Sequence, residues 1–134
     1  MADANFVLSR GFSAVAASPI TKHRAVKAHA SLAETVIPVA AAGDVALGVA
    51  QFDVTAADVA KGKDVTVQMM GIVQMEASVA LAVGALVGLA ADGRAAAAGA
   101  GVRTVGVVVG NPAGGAGERV SVLLNLPGLL GVGA

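Results

Sequence analysis

Two histidines are the first candidates for acid–base or metal chemistry in this chain of 134 residues. His23 and His29 lie six positions apart in ITKHRAVKAHA (residues 20–30), whose alternating pattern predicts one β-strand. At about 3.3 Å per residue, side chains six positions apart on a strand are separated by roughly 20 Å. Because that distance is too long for the rings to share a metal ion or a proton, we expect both histidines at a surface or an interface.

Three aspartates, Asp53, Asp58 and Asp64, are the remaining candidates for a general acid–base pair. Asp58 belongs to TAADVAKGK, where Thr55 and Asp58 form a capping pattern that predicts one short helix ending at Gly62. Helix capping and loop solubility therefore explain these carboxylates better than catalysis does. An enzyme that uses them stays an alternative, because a site could be assembled between subunits.

The glycine-rich and sulfur-containing segments add no further site. GNPAGGAGERVS lacks the Lys-Ser/Thr of a P-loop, and Thr104 stands where a dinucleotide-binding fingerprint in GAGVRTVG needs its third glycine. The chain has no cysteine, which excludes disulfides and thiolate metal sites. Met69, Met70 and Met75 are predicted to fill the core. We therefore predict no enzymatic activity, no catalytic residue, no cofactor and no bound metal.

The charge pattern gives no sign of a nucleic-acid partner, since nine basic residues balance nine acidic ones without a basic cluster. The balance is uneven along the chain. Residues 1–38 hold four basic and two acidic residues, and residues 39–76 hold two basic and five acidic ones. This pattern is typical of a solvated strand face followed by acidic loops. The alternative is a basic N-terminal segment that meets an acidic partner.

No segment has the pattern of a membrane span or a signal peptide. MADANFVLSRGF lacks a basic start followed by an apolar stretch. The longest uncharged runs, residues 77–91 and 120–134, are shorter than the roughly 20 residues that a spanning helix needs. We expect a protein that is neither secreted nor inserted in a membrane.

A period of two dominates the chain and predicts β-strands, several of them buried on both faces. The predicted strands are residues 20–30, 44–54, 64–77, 102–110 and 118–126. Asp92-Gly93 predicts a hairpin between ALVGLAA and RAAAA. A helix over ASVALAVGALVGLAA is the competing interpretation because Ala and Leu favour helices, but Gly84 and Gly88 favour strand. Such a small-residue core would gain stability from burial against other copies.

The order of these segments resembles the capsid decoration, or head cement, proteins of tailed bacteriophages. The segments that carry the resemblance are AVKAHA, VALGVAQFDV, GKDVTVQMMGIVQMEAS, ALAVGALVGLAADGRAAAAG and RTVGVVVGNPAGGAGERVSVLL. The likeness covers residues 6–124 and rests on order and spacing. It implies an all-β fold, a small β-barrel or β-tulip-like domain with an extended N-terminal arm and at most one short helix. The expected organisation is an arm (1–18), a β-rich decoration domain (19–125) and an apolar C-terminal tail (126–134).

The resemblance also implies a structural role in the virion. Such a protein is made in the host cytoplasm, binds the outer surface of a mature head and cements neighbouring major capsid subunits, commonly as a homotrimer. Its expected partners are the major capsid protein and other copies of itself, with neither nucleic acid nor membrane. In the arm, Phe6, Arg10 and Phe12 are the implied capsid contacts. The alternative is a small β-barrel oligomerisation or ligand-binding module of a phage or host adhesin, although the chain lacks the Trp and Tyr typical of sugar-binding sites.

The C-terminal tail departs from the pattern of these proteins. After RVSVLL the chain continues with NLPGLLGVGA, which contains Leu126, Leu129, Leu130 and Val132. Apolar patches of this kind usually mark interfaces, so we predict that the tail packs on a neighbouring subunit or on the capsid. The alternative is a frayed tail without a role.

Overall fold

The computed structural model describes residues 7–99 and 103–124, and this part of the chain is almost entirely β-structure. In chain order its elements are β1 (Leu8–Phe12), β2 (Ala25–Ala28), β3 (Val36–Pro38), β4 (Gly48–Ala50), α1 (Ala56–Ala60), β5 (Val65–Glu76), β6 (Leu86–Leu89), β7 (Ala95–Ala97), β8 (Gly106–Gly110) and β9 (Arg119–Leu124). All strand pairs are antiparallel. The predicted all-β fold with one short helix is confirmed for the described residues.

Strand β5 is the long element that organises the sheet. The strands follow the order β3-β2-β4-β5-β9-β8-β6-β7, and β1 pairs with β5 as well. β1 and β9 lie end to end along one edge of β5, because Leu8 is opposite Met70 and Leu124 is opposite Gly71. We call β1–β4 with residues 65–70 the N-terminal barrel region, and residues 71–76 with β6–β9 the C-terminal sheet.

The N-terminal barrel region curls until its first strand meets its third. The Ser13 amide donates to the Glu34 carbonyl (3.0 Å), and the Val36 amide donates to the Ser13 carbonyl (2.9 Å). These bonds form a parallel bridge between Ser13 and Thr35. The barrel-like curl encloses a core of Phe12, Ile20, Val26, Val36, Ala50, Val54, Val65 and Val67. The predicted barrel-like architecture agrees with this arrangement.

The C-terminal sheet covers a second core with its inward face. Along β9, buried and more exposed residues alternate, so that Val120 and Val122 point inward with Met75 of β5. Met75, Val120 and Val122 are fully buried. This core also includes Ala25 and Val49 from β2 and β4, which join it to the barrel region.

The helix α1 follows directly from its local sequence. Thr55 is the N-cap, since its hydroxyl accepts from the Asp58 amide (3.1 Å) and the Asp58 carboxylate accepts from the Thr55 amide (3.0 Å). Gly62 follows with a φ of 78°, in the left-handed region that glycine adopts without strain. The predicted capping box and short helix are confirmed.

The hairpin at Asp92-Gly93 is also confirmed, and the helical alternative is wrong for this segment. β6 pairs with β7, with Leu89 opposite Ala95. Gly93 has a φ of 85°, and a Cβ atom there would lie 2.7 Å from the Ala25 carbonyl oxygen. The Ala25 amide donates to the Gly93 carbonyl (2.8 Å), so the turn packs directly on β2.

The predicted strand over residues 20–30 is wrong in its length, since β2 covers only Ala25–Ala28. His23 has a φ of 65°, which interrupts the extended backbone before β2 begins. The predicted strand over 44–54 is likewise reduced to Gly48–Ala50. Both histidines therefore lie outside the strand that the alternating pattern assigned to them.

Part of the predicted N-terminal arm takes part in the sheet. Residues 8–12 form β1 and pair with β5. Residues 1–6 lie outside the described part of the chain. The boundary between arm and domain stays a prediction.

Candidate interaction surfaces

The end of β1 brings together two of the three residues that the resemblance assigned to capsid contact. Phe12 is 7% exposed and packs in the barrel core. The Arg10 side chain is 51% exposed and donates to the Glu34 carboxylate. Its guanidinium carbon lies 5.1 Å from the centroid of the Phe12 ring, within the range of a cation–π contact. In this arrangement the Arg10 guanidinium faces solvent and packs over the ring of the buried Phe12.

The remaining predicted contact residues lie outside the described residues. They are Phe6, Leu126, Leu129, Leu130 and Val132. Their roles, and those of Arg10 and Phe12 in capsid contact, stay predictions.

A cluster of four charges joins the two regions. The Arg24 guanidinium lies 3.2 Å from the Glu76 carboxylate and 3.8 Å from that of Asp92. Arg94 lies 2.8 Å from Asp92 and 3.8 Å from Glu76. Burial alone would raise the pKa of Asp92, but the backbone amide and the charge of Arg94 hold that pKa below its ordinary value. Because each charge has an opposite partner, this cluster stabilises the junction between β2, β5 and the β6–β7 turn.

A cavity of about 240 Å³ lies beside this charged cluster. Apart from Thr21 and the ion-paired Arg24 and Asp92, its lining is aliphatic: Pro19, Ile20, Ala25, Val26, Pro38 and Val39. The cavity has space for a small molecule, but its two charged side chains, Arg24 and Asp92, are already ion-paired within the chain.

The two histidines contact backbone at separate places. The Nδ1 atom of His29 accepts from the amides of Ser31 and Leu32, both at 3.1 Å, and so holds the loop after β2. The Nδ1 atom of His23 lies 3.3 Å from the Gln74 carbonyl oxygen of β5. Burial, together with the nearby Arg119 charge, lowers the pKa of His23.

Two of the three candidate aspartates, Asp53 and Asp58, hold local structure. The Asp53 carboxylate accepts from the Lys22 amide (2.9 Å), and Asp58 caps α1 and lies 3.4 Å from the Lys63 ammonium. The predicted capping role of Asp58 is confirmed. Within residues 7–99 and 103–124, no three His, Cys, Asp or Glu side chains come together in a way that could hold a metal ion. In the same ranges, no helix has the length and apolar character needed to cross a membrane.

The outward face of the C-terminal sheet carries an unusual set of aliphatic side chains. Leu86, Val107, Leu123 and Ile72 are directly opposite one another in register across β6, β8, β9 and β5. Met70 lies two positions from Ile72 along β5 and is opposite Leu8 of β1. We call these six residues the apolar row; Leu8 and Met70 belong to the N-terminal barrel region and the other four to the C-terminal sheet. Its Leu, Ile and Met side chains are between 42% and 52% exposed, and Val107 is partly buried.

Sequence reasoning missed the apolar row. The sequence predicts that Met69, Met70 and Met75 fill the core. In the structure, one face of β5 is buried with Val73 and Met75, whereas Met70 and Ile72 on the other face are exposed. The prediction that Met70 fills the core is therefore wrong. The apolar residues of this strand indicate that both of its faces could be covered. Only the folded sheet shows that the face with Met70 and Ile72 is left exposed.

No protein-family model matches the sequence, and no curated protein does either. The fold has a solved counterpart in the crystal structure of the head fiber gp8.5 N base in bacteriophage phi29, with a TM-score of 0.67. The alignment covers 90% of this chain and 95% of that chain. This chain has the fold of a phage head-fiber base. The sequence identity is 21%, so the likeness concerns the fold, and it agrees with the resemblance to phage capsid decoration proteins.

Proposed function

We propose that this chain is a structural decoration protein that binds the outer surface of a mature phage head and cements neighbouring major capsid subunits. The observation that carries the proposal is the fold shared with a phage head-fiber base over nearly the whole length of both chains. The described side chains support it, because His29, Asp53 and Asp58 among the candidate catalytic groups are engaged in turn and cap hydrogen bonds. The features of the described chain that could carry a function are therefore its exposed surfaces.

The proposed partners are the major capsid protein and further copies of this chain, arranged as homotrimers at threefold positions of the shell. A cement protein works by many modest contacts repeated by symmetry, whose combined strength exceeds that of any one contact. The exposed aliphatic side chains of this small domain support such a role, since contiguous patches of this kind usually mark interaction sites.

Arg10 is the proposed polar contact to the capsid. Its side chain is held in place by the Phe12 ring and by Glu34, and it remains half exposed. A carboxylate on the shell could pair with the same guanidinium, whose planar donors suit bidentate contact. The proposal therefore assigns Phe12 a supporting role in placing Arg10.

The test is co-sedimentation of the purified chain with mature heads assembled without it. We expect saturable binding, with a copy number that matches the threefold positions of the shell. Heads already saturated with the chain serve as the control and should take up no more. Absence of binding at high protein concentration would contradict the proposal and would direct attention to the adhesin alternative.

A point variant sharpens this test. Arg10→Gln should weaken binding to heads by about tenfold, which corresponds to about 1.4 kcal/mol. Its fold should persist, because an exposed ion pair contributes only about 0–1 kcal/mol to stability. The charge-matched control is Lys61→Gln at the exposed end of α1, which should bind like the parent. Equal binding by both variants would remove Arg10 from the contact.

Deletion of residues 126–134 tests the proposed contact of the C-terminal tail. We expect lower affinity for heads or a less stable trimer, measured by co-sedimentation and by thermal dissociation. Unchanged values in both measurements would leave the frayed-tail alternative.

A further inference from the structure

We infer that the apolar row is the surface through which copies of this chain associate, and that a second copy of the same chain is its occupant. This inference rests on the self-association included in the proposed function and adds the surface that produces it. It does not depend on binding to heads.

The geometry of the row supports an interface. Leu86, Val107 and Leu123 come from three different strands and lie side by side in register. Neighbouring strands are about 4.8 Å apart, so the aliphatic side chains form one continuous strip. Met70 and Leu8 extend this strip along β5 to β1, which lies end to end with β9 on the same edge of β5. Exposed apolar strips of several large side chains are uncommon on the surface of a protein that stays monomeric.

The charges around the row favour a second copy as the occupant. Among the described outward positions of β5, β6, β8 and β9, the charged side chains are Glu76 and Arg119. These two are cross-strand partners at the far end of the sheet and have opposite signs. Beside Leu8 on β1, the exposed Arg10 is paired with Glu34. The described face therefore carries no net charge that would repel a copy of itself, and no charged group lies among the strands at its centre. Surfaces of like apolar character can meet in a symmetric contact.

The sequence that continues from this face has the same character. The last described residue of β9, Leu124, lies opposite Gly71, next to Met70 and the row. The ten residues that follow, NLPGLLGVGA, contain no charged residue. They therefore contain no charged side chain that would repel a second copy.

Two sheets that pack face to face lie about 10 Å apart, with side chains interleaved from both. Leucine and methionine side chains fill such a space, and the methionine at position 70 adapts to an irregular partner surface. Association through the row would thus cover the face of the C-terminal sheet that the chain itself leaves exposed.

The experiment compares two double variants of the full chain by sedimentation velocity over a range of protein concentrations. Met70→Lys with Leu123→Lys places two like charges on the row of every copy. The matched control is Leu32→Lys with Val45→Lys, since both of these aliphatic side chains are 51% exposed in loops of the barrel region. We expect the parent and the control to form the same oligomer. The row variant should associate at least about tenfold more weakly and run as a monomer at concentrations where the parent does not.

Circular dichroism and thermal melting establish whether the row variant is folded. If it is not, Leu123→Thr replaces it, because a β-branched residue suits a strand and still removes most of the aliphatic surface. A measurement on the unmodified chain gives an independent result. The rate at which peroxide oxidises Met70 should be lower in the oligomer than in dilute monomer, because association buries its sulfur.

Three outcomes would overturn the inference. A folded row variant with the oligomeric mass of the parent would exclude the row as the interface, and so would a Met70 oxidation rate that does not change on association. A parent chain that is monomeric at all concentrations would exclude self-association through any surface. If the row variant loses binding to heads but keeps its oligomeric mass, the occupant is the capsid, and the proposed function stands without this inference.

Discussion

The N-terminal barrel region and the C-terminal sheet share strand β5, but their outer surfaces differ in chemistry. On the barrel region, charged side chains pair with one another: the exposed Arg10 with Glu34, and the partly buried Lys27 with Asp44 (2.8 Å). On the C-terminal sheet, the outward face presents four of the six residues of the apolar row.

Both regions expose large apolar side chains, but they are arranged differently. Leu32, Val45 and Phe52 lie in three separate loops. The apolar side chains of the C-terminal sheet lie side by side in register across four strands.

The difference follows from how each region covers its strands. The barrel region curls until β1 reaches the start of β3, so its inward face encloses a core. The C-terminal sheet uses one face for the larger core, and no described element packs over the middle of the opposite face. The domain thus combines a barrel region that encloses its own core with a sheet whose outward face carries adjacent apolar side chains suited to contact with another subunit.

The largest expected effect concerns the second core, which contains Met75 of β5 and residues from both regions. Met75→Ala should lower the free energy of unfolding by about 2–5 kcal/mol, because Met75 is fully buried and the substitution leaves a cavity. Met70→Ala on the outward face of the same strand is the control. It should change stability by no more than about 0.5 kcal/mol in dilute monomer. Chemical denaturation followed by circular dichroism measures both.

The same denaturation experiment tests whether the two regions unfold together. Because β5 belongs to both cores, we expect one cooperative transition in the parent and in Met75→Ala. Two separate transitions, with only one displaced by Met75→Ala, would show that the regions are independent domains.

A smaller effect is expected at the junction between the regions. Gly93→Ala combines a left-handed φ with a Cβ atom 2.7 Å from the Ala25 carbonyl oxygen, so we expect a loss of about 2–3 kcal/mol. Gly84→Ala is the matched control. Gly84 has a similar φ of 89°, but nothing lies within 4 Å of the added atom, so only the backbone term of about 1–2 kcal/mol should appear. Equal losses in thermal melting would mean that the turn does not pack tightly on β2.

The smallest effect concerns pH at the same junction. Burial and the Arg119 charge lower the pKa of His23 below 6.5. The hydrogen bond with the Gln74 carbonyl and the Asp53 charge oppose this shift, and the Lys22 charge adds to it. The unfolded chain therefore binds a proton in a pH range where the folded chain does not. Stability should fall as the pH drops from about 6.5 through the folded pKa of His23.

His23→Asn tests this prediction, because asparagine tolerates the positive φ at this position. The variant should show a weaker pH dependence of its melting temperature between pH 7 and pH 5 than the parent. His29 is present in both proteins, so the difference isolates His23. Parallel curves for parent and variant would exclude this proton as a contributor to stability.

Local sequence was sufficient for the elements whose structure depends on near neighbours. Thr55 and Asp58 specify the start of α1, because their reciprocal hydrogen bonds span only three residues. Asp92-Gly93 likewise specifies the hairpin turn, and the Val-, Ile- and Met-rich segment 64–77 locates β5 to within one residue at each end. These features require no knowledge of the rest of the chain.

Tertiary structure decided the conformation of His23 and the character of the exposed face. The positive φ of His23 is held by hydrogen bonds to Ala50 and Glu76, which are distant in sequence, so no local pattern could end the predicted strand there. A period of two shows that Met70 and Ile72 share one face of β5, but not what covers that face. Burial depends on which strands and loops pack against it, and that is a property of the folded sheet.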